Sequence, residues 1–179
     1  MKVIQSSYEI LTDLSDPVKI LKDIERAGRV CYKSENNITD DSCITFCKNI
    51  LNRGHEAVIE HSQLSVKFTV DRAIANELVR HRLASYCQES TRYCNYSKDK
   101  FYNELKVIEP EALLPRDSTD YNIWWMSCKN AEESYMTMIS NGVKPEIARS
   151  VLPLSTATEI IMTANIREWR NVLKLRSSH

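Results

Sequence analysis

The side chains best suited to chemistry lie in one stretch, Arg80-His81-Arg82-Leu83-Ala84-Ser85-Tyr86-Cys87-Gln88-Glu89-Ser90-Thr91-Arg92-Tyr93, where three arginines, one histidine and two serines fall close together. Guanidinium groups present planar forks of donors that match phosphate oxygens, and serine hydroxyls add single donors. Such a set suits an anionic, nucleotide-like ligand in a chain whose three glycines form neither a GxGxxG nor a Walker array. The plainer alternative is a solvated turn whose arginines pair with Glu77, Glu89 or Asp99, since surface ion pairs are common and individually weak. Ser90 has no identifiable base beside it. An unactivated hydroxyl is a poor nucleophile, so a donor to phosphate or ribose is the better role. His55 and His61 lack the HExxH zinc spacing, and no metal site is expected.

The flanking elements follow from local signals. Val3 to Leu11 reads as a strand. Asp16-Pro17 gives a cap and a first-turn proline for a helix with Val18, Leu21, Ile24 and Ala27 at helical spacing. A second amphipathic helix follows Thr39, with Cys43, Cys47, Ile50 and Leu51 on its apolar side and Gly54 as its stop. Leu64, Val66, Phe68 and Val70 alternate with polar residues as in a half-buried strand. Asp71 caps the next helix, which runs into Arg80-His81-Arg82, and a polar loop is expected from there to about Lys100. Leu105 to Ile108 suits a short strand. Ser118 to Asn141 reads as a long helix closed by Asn141-Gly142, and Pro145 opens a short one that Pro153 ends. Leu154 to Asn165 suits a strand, and a last helix carries Trp169, Val172, Leu173 and Leu175. These elements predict an α/β chain of the α+β type, with helices flanking a mainly antiparallel central sheet.

A chain of 179 residues suits one domain, 1–179, with a real core. Lys plus Arg and Asp plus Glu each number 24, so no net field draws the chain to nucleic acid or an anionic membrane. No apolar run has the length of a membrane span, and MKVIQSSYEILTD lacks a signal-peptide pattern. Six cysteines without a CxxC pair fit reduced thiols and a cytoplasmic location.

RHR, seven residues, then Ser90 resembles the signature of the flavin-dependent thymidylate synthases, and Ser90-Thr91-Arg92-Tyr93 continues it. Gly54-His55-Glu56-Ala57-Val58-Ile59-Glu60-His61 is similar to that family's histidine-and-glutamate segment, and Ala148-Arg149-Ser150-Val151-Leu152-Pro153 to its arginine-Val-Leu-Pro element. Asn165-Ile166-Arg167, Asn171 and Leu175-Arg176 match its C-terminal ligand-binding positions. The resemblance implies reductive methylation of dUMP to dTMP with 5,10-methylenetetrahydrofolate, FAD and NADPH, in a homotetramer whose sites form between subunits. It assigns FAD contacts to His55, Ala57, Glu60, Arg80, His81, Arg82, Gln88, Asn165, Arg167 and Asn171. It assigns dUMP to Glu77, Arg80, Gln88, Glu89, Ser90, Arg92, Arg149 and Arg176. Arg176 corresponds to the arginine that polarises the uracil, where a fixed cation stabilises a developing anion. His55 corresponds to a residue that stacks near the flavin and folate rings, although a histidine merely packed at a helix end would look the same.

There are departures. Glu77 stands where many relatives have glutamine, and an ionised carboxylate cannot donate to phosphate. Ala57 replaces a frequent Ser or Thr. The sequence stops at Arg176-Ser177-Ser178-His179, where relatives continue through a further segment, so a relative without its usual C-terminal tail is expected. Two alternatives follow: a non-catalytic flavin- or nucleotide-binding relative, and an RNA-binding module suggested by Tyr86, Tyr93 and Tyr96 among the arginines. Balanced charge and the lack of RRM or KH patterns weigh against the second.

Overall fold

The computed structural model describes residues 1–98 and 103–177; Asp99, Lys100, Phe101, Tyr102, Ser178 and His179 lie outside the described residues. In order, the elements are β1 (Lys2–Ile4), β2 (Ser7–Ile10), α1 (Val18–Val30), α2 (Ser42–Asn52), β3 (Gln63–Asp71), α3 (Arg72–Leu78), β4 (Ala84–Gln88), β5 (Lys106–Ile108), α4 (Thr119–Ser140), α5 (Pro145–Ala148), β6 (Ala157–Asn165) and α6 (Ile166–Arg176). Short 3-10 helices include Glu56–His61 and Arg149–Val151.

Four strands form one sheet in the order β2-β3-β6-β4, and β1 pairs with β5 in a second, parallel sheet with Lys2 opposite Lys106. Strands β3 and β6 run antiparallel. Ile166 N donates to Ser62 O at 2.9 Å, and further along the pair the Ser65 and Thr163 hydroxyls meet at 2.7 Å. The expected mixed class with an antiparallel sheet and flanking helices is therefore found.

The chain packs as two compact units, one of Met1–Tyr8, Phe68–Arg80 and Cys87–Ile161, the other of Glu9–Lys67, His81–Tyr86 and Met162–His179. In the first, Tyr96, Leu105, Val107, Cys128, Tyr135 and Ala148 form the core. The Tyr96 and Tyr135 rings tilt against each other with centroids 5.8 Å apart, a geometry that aromatic quadrupoles favour. Helix α4 begins where Ser118 Oγ accepts from Tyr121 N at 3.1 Å, and it ends at Gly142, whose φ of +84° suits a residue without Cβ. Buried Glu109 accepts hydrogen bonds from Arg116, Tyr121 and Gln5. The Arg116 hydrogen bond holds its carboxyl below the usual range against the opposing effect of burial, and Tyr121 and Gln5 assist.

In the second unit Ile24, Cys47, Ile50 and Ile59 form the core, with Phe46, Val58 and Ile166 packed on it. Each such fully buried aliphatic side chain contributes about 1.5–3 kcal/mol. Asp16 Oδ1 accepts from Val18 N at 3.1 Å, so Asp16 makes the capping bond its type suggests, while the helix itself runs from Val18, one residue after Pro17. Gly54, at φ +70°, stops α2. Glu25 is buried, and its charge is met by Arg29 at 2.7 Å and Ser42 at 2.8 Å. All six cysteines are free thiols. Among the described residues no helix is long and apolar enough to cross a membrane.

Two expectations need correction. Val3 to Leu11 is two strands, because the chain leaves β1 at Gln5, whose side chain turns to Glu109. The stretch from Arg80 to Lys100 is not all loop: Ala84–Gln88 forms β4 at one end of the four-stranded order. An edge strand faces water on much of its surface and so need not show apolar alternation. Leu173 and Leu175 are exposed, at 60% and 58%, whereas Trp169 and Val172 anchor α6.

Candidate functional site

Helix α6 starts sharply because Asn165 Oδ1 accepts from Glu168 N at 2.9 Å. Its buried side is fixed by Trp169, whose indole N–H donates to Leu64 O at 3.0 Å, and by Val172. With those positions turned inward, Arg167, Arg170, Asn171 and Lys174 fall along one outer stripe at helical spacing. They line a cavity of about 830 Å³ together with Glu56, Glu60, Leu83, Asn165, Glu168 and Leu173.

The charges in this cavity balance, three carboxylates against three cations. Arg167 Nη1 donates to Glu60 at 2.6 Å, and its Nε lies 3.5 Å from Glu56. Arg170 reaches the other Glu56 oxygen at 3.5 Å. The hydrogen bond to Glu60 raises the Arg167 guanidinium above its ordinary range, followed by the charges of Glu60 and Glu56.

Behind the stripe His81 is buried, with Nδ1 3.3 Å from Glu168 Oε1. Arg176 Nε donates to His81 Nε2 at 3.5 Å. Tyr86 Oη donates to the His81 carbonyl at 2.7 Å, and burial followed by the Glu168 charge raises the Tyr86 phenol. Asn171 Nδ2 approaches both Glu168 oxygens, at 3.4 and 3.5 Å. Thus Glu60, Asn165, Arg167 and Asn171, all expected at a flavin, border one cavity, and His81 and Arg176 join its Glu168 wall. His55 and Ala57 are exposed at the start of the Glu56–His61 turn and do not line the cavity; Arg82 is exposed too.

The residues expected at dUMP fall, except for Arg176, in the other unit. Glu77 and Arg80 close α3, where Arg80 N donates to Glu77 O, and both side chains are exposed. Gln88 Nε2 donates to Thr158 Oγ1 at 3.4 Å. Glu89 is tied into the fold: its amide donates to Glu159 O at 2.9 Å and its carbonyl accepts from Arg72 Nη2 at 3.1 Å. Its carboxylate takes the Tyr96 hydroxyl at 3.0 Å, and burial, then the Glu89 charge, pushes that phenol far up. Ser90 O accepts from Tyr93 N and Cys94 N, making a tight turn, and Ser90 Oγ accepts a long bond of 3.4 Å from Arg92 N. Arg149 Nη1 reaches Thr91 Oγ1 at 3.2 Å, so the arginine of the Arg-Val-Leu-Pro element meets the Ser90 turn. Arg92 lies over the Tyr93 ring at 5.5 Å.

Sequence reasoning missed Glu56, Glu168, Arg170 and Lys174. Two signals were available: Asn165 followed three residues later by Glu168, a capping-box spacing, and the polar stripe 167-170-171-174. Arg72 was also missed; its Nε is buried without a hydrogen-bond partner among the described residues. Nothing in its sequence context marks it.

Comparison with known proteins gives a consistent result. The sequence profile of the family described as thymidylate synthase complementing protein (Thy1) matches residues 14–179. A flavin-dependent thymidylate synthase of Geobacter sulfurreducens is 30% identical over 157 residues, covering 84% of this chain and 66% of that protein. Those of Saccharolobus solfataricus and Pyrococcus furiosus are 34% and 32% identical, over 79% and 83% of this chain. The chain spans 52% and 60% of their lengths. A UMP/dUMP methylase, PolB from Streptomyces cacaoi, solved with 5-Br dUMP, superposes with a TM-score of 0.77 at 22% identity, over 97% of this chain and 79% of that one. That likeness shows a shared fold. The chain belongs to the Thy1 family of flavin-dependent thymidylate synthases.

Proposed function

We propose that the chain methylates dUMP to dTMP, taking the one-carbon unit from 5,10-methylenetetrahydrofolate and reducing equivalents from NADPH through FAD. The cavity along α6 carries this reading, because it gathers Glu60, Asn165, Arg167 and Asn171, each of which the family resemblance assigns to a flavin. Its volume of about 830 Å³ suits a cofactor. Its donors also fit: Arg167, Arg170 and Lys174 suit a diphosphate, the two asparagine amides suit ring heteroatoms, and Leu83 and Leu173 offer apolar wall to a flat ring.

When bound, reduced FAD supplies hydride. The chain's own residues bind, orient and polarise. Arg92 and Arg149 offer forks to the phosphate of dUMP, with Ser90 Oγ as a single donor. Glu77, which cannot donate when ionised, is suited to accept from a ribose hydroxyl. Gln88 provides both a donor and an acceptor. Arg176 acts at the uracil, where a fixed guanidinium stabilises negative charge without itself losing a proton. His55, Ala57, Arg80 and Arg82 complete the flavin and folate side of the reading.

The reading includes a homotetramer in the cytoplasm. Exposed Arg80, Arg82, Arg92 and Arg149 are available for a second copy to cover, and six free thiols suit a reducing compartment. Light scattering after size exclusion should give about four times the 20.7 kDa chain mass. A monomer that turns over dUMP would contradict this. The function itself is tested by loading with FAD, desalting, reducing with NADPH and following flavin oxidation with dUMP present or absent.

A further inference from the structure

We infer that Glu168 is a positioning residue for the proposed reaction: by accepting the His81 Nδ1 proton it fixes the imidazole tautomer whose Nε2 holds the Arg176 guanidinium. The inference rests on the reading above only in giving Arg176 a role at the uracil.

The argument is one of donors and acceptors. Arg176 Nε–H can only donate, so its partner, His81 Nε2 at 3.5 Å, must offer a lone pair. A neutral imidazole with an accepting Nε2 carries its proton on Nδ1, and Nδ1 faces Glu168 Oε1 at 3.3 Å. The opposite tautomer would set N–H against N–H at Arg176 and leave Glu168 without the His81 donor. His81 and Glu168 are buried, at 7% and 6% exposure, so water does not replace their contact, whereas Arg176 reaches His81 from the exposed end of α6.

Glu168 is itself held from several sides. Asn165 fixes its main chain at the third position of α6, and the Asn171 amide approaches both carboxylate oxygens. Tyr86 Oη holds the His81 backbone at 2.7 Å. Neither ring contact is short, so their consequence is orientation of Arg176 more than binding strength. The same logic fixes a catalytic histidine in hydrolases, where a buried carboxylate sets the tautomer without taking the proton.

The test pairs a spectroscopic readout with kinetics. Long-range proton–nitrogen spectra of the FAD-loaded protein, with ring-labelled histidine, report which His81 nitrogen bears hydrogen. The wild type should show Nδ1–H. Glu168→Ala should shift His81 to Nε2–H and lower kcat at least about tenfold, read at saturating FAD because Glu168 also lines the proposed flavin cavity. In Glu168→Gln the amide oxygen can still accept, so Nδ1–H and most of kcat should persist. Nδ1–H retained in Glu168→Ala, or a tautomer switch with kcat within twofold of wild type, overturns the inference. If the alanine variant does not fold, the glutamine variant decides, since its kcat must follow whichever tautomer it shows. A wild type inert towards dUMP would defeat the functional reading, while the spectra would still decide whether Glu168 sets the His81 tautomer.

Discussion

Ser90→Ala separates a ligand donor from a nucleophile, and the structure gives its expected size. Ser90 O accepts from Tyr93 N at 3.1 Å and from Cys94 N at 2.9 Å, and alanine keeps both bonds. Only the long Oγ contact with Arg92 N, at 3.4 Å, is lost. That loss should cost no more than about 0.5 kcal/mol of stability, the lower end for a hydrogen bond, so the turn and its Arg149–Thr91 contact survive. The effect should then fall on dUMP. Losing one hydrogen bond to a charged ligand is worth about 1.5–3 kcal/mol, or roughly 10- to 150-fold in affinity. Calorimetric titration with dUMP, steady-state kinetics and thermal unfolding of both proteins measure the three quantities separately. We expect weaker dUMP binding, kcat reduced less than about tenfold, and an almost unchanged Tm. A loss of kcat beyond a thousandfold at unchanged dUMP affinity, with a covalent adduct on Ser90 in wild type, would refute the reasoning.

Arg167→Ala should weaken FAD binding by roughly ten- to a hundredfold, because it removes donors and takes the Arg167 partner from Glu60 at the cavity, while Glu56 keeps Arg170; unchanged FAD affinity in a fluorescence titration would make Arg167 merely structural. Adding Glu60→Gln to that variant should recover part of the loss. Gly28→Ala should destabilise: a Cβ there would lie 2.5 Å from Phe46 Cζ and 2.9 Å from Val58 Cγ1. Overpacking costs about 1–3 kcal/mol against the roughly 1 kcal/mol that alanine gains over glycine in a helix, and an increased Tm would reverse that balance. Glu109 is depressed in the folded state, so its contribution is present above its ordinary value near 4.5 and is lost as pH falls through the lower folded value. Glu109→Gln should therefore flatten the fall of Tm with acidification below about pH 4.5, and parallel curves for the two proteins would exclude the assignment.

Local chemistry was the legible part of the fold. Asp71 accepts from Ile74 N at 2.7 Å, Ser118 accepts from Tyr121 N, and Gly142 closes α4, as their residue types suggest. What escaped was set by partners distant in sequence. Strand β4 runs through the polar motif because β6 offers it an edge, and β1 pairs with β5 in a parallel register that no short pattern encodes. The polar stripe of α6 was only half legible. Asn165, Arg167 and Asn171 came from the family motif, whereas Arg170 and Lys174 gain meaning only when α6 turns them towards the same cavity as Asn171. Leu173, one of the apolar residues of that helix, is exposed and lines the cavity.

The most direct test of the account is a single anaerobic turnover. Protein loaded with FAD, desalted and reduced with NADPH is mixed with dUMP and 5,10-methylenetetrahydrofolate, and oxidised flavin and dTMP are quantified together. The account predicts flavin retained after desalting and dTMP formed in step with flavin oxidation, both dependent on dUMP. A folded protein that retains no FAD, or one that oxidises flavin in the presence of dUMP without forming dTMP, would contradict it.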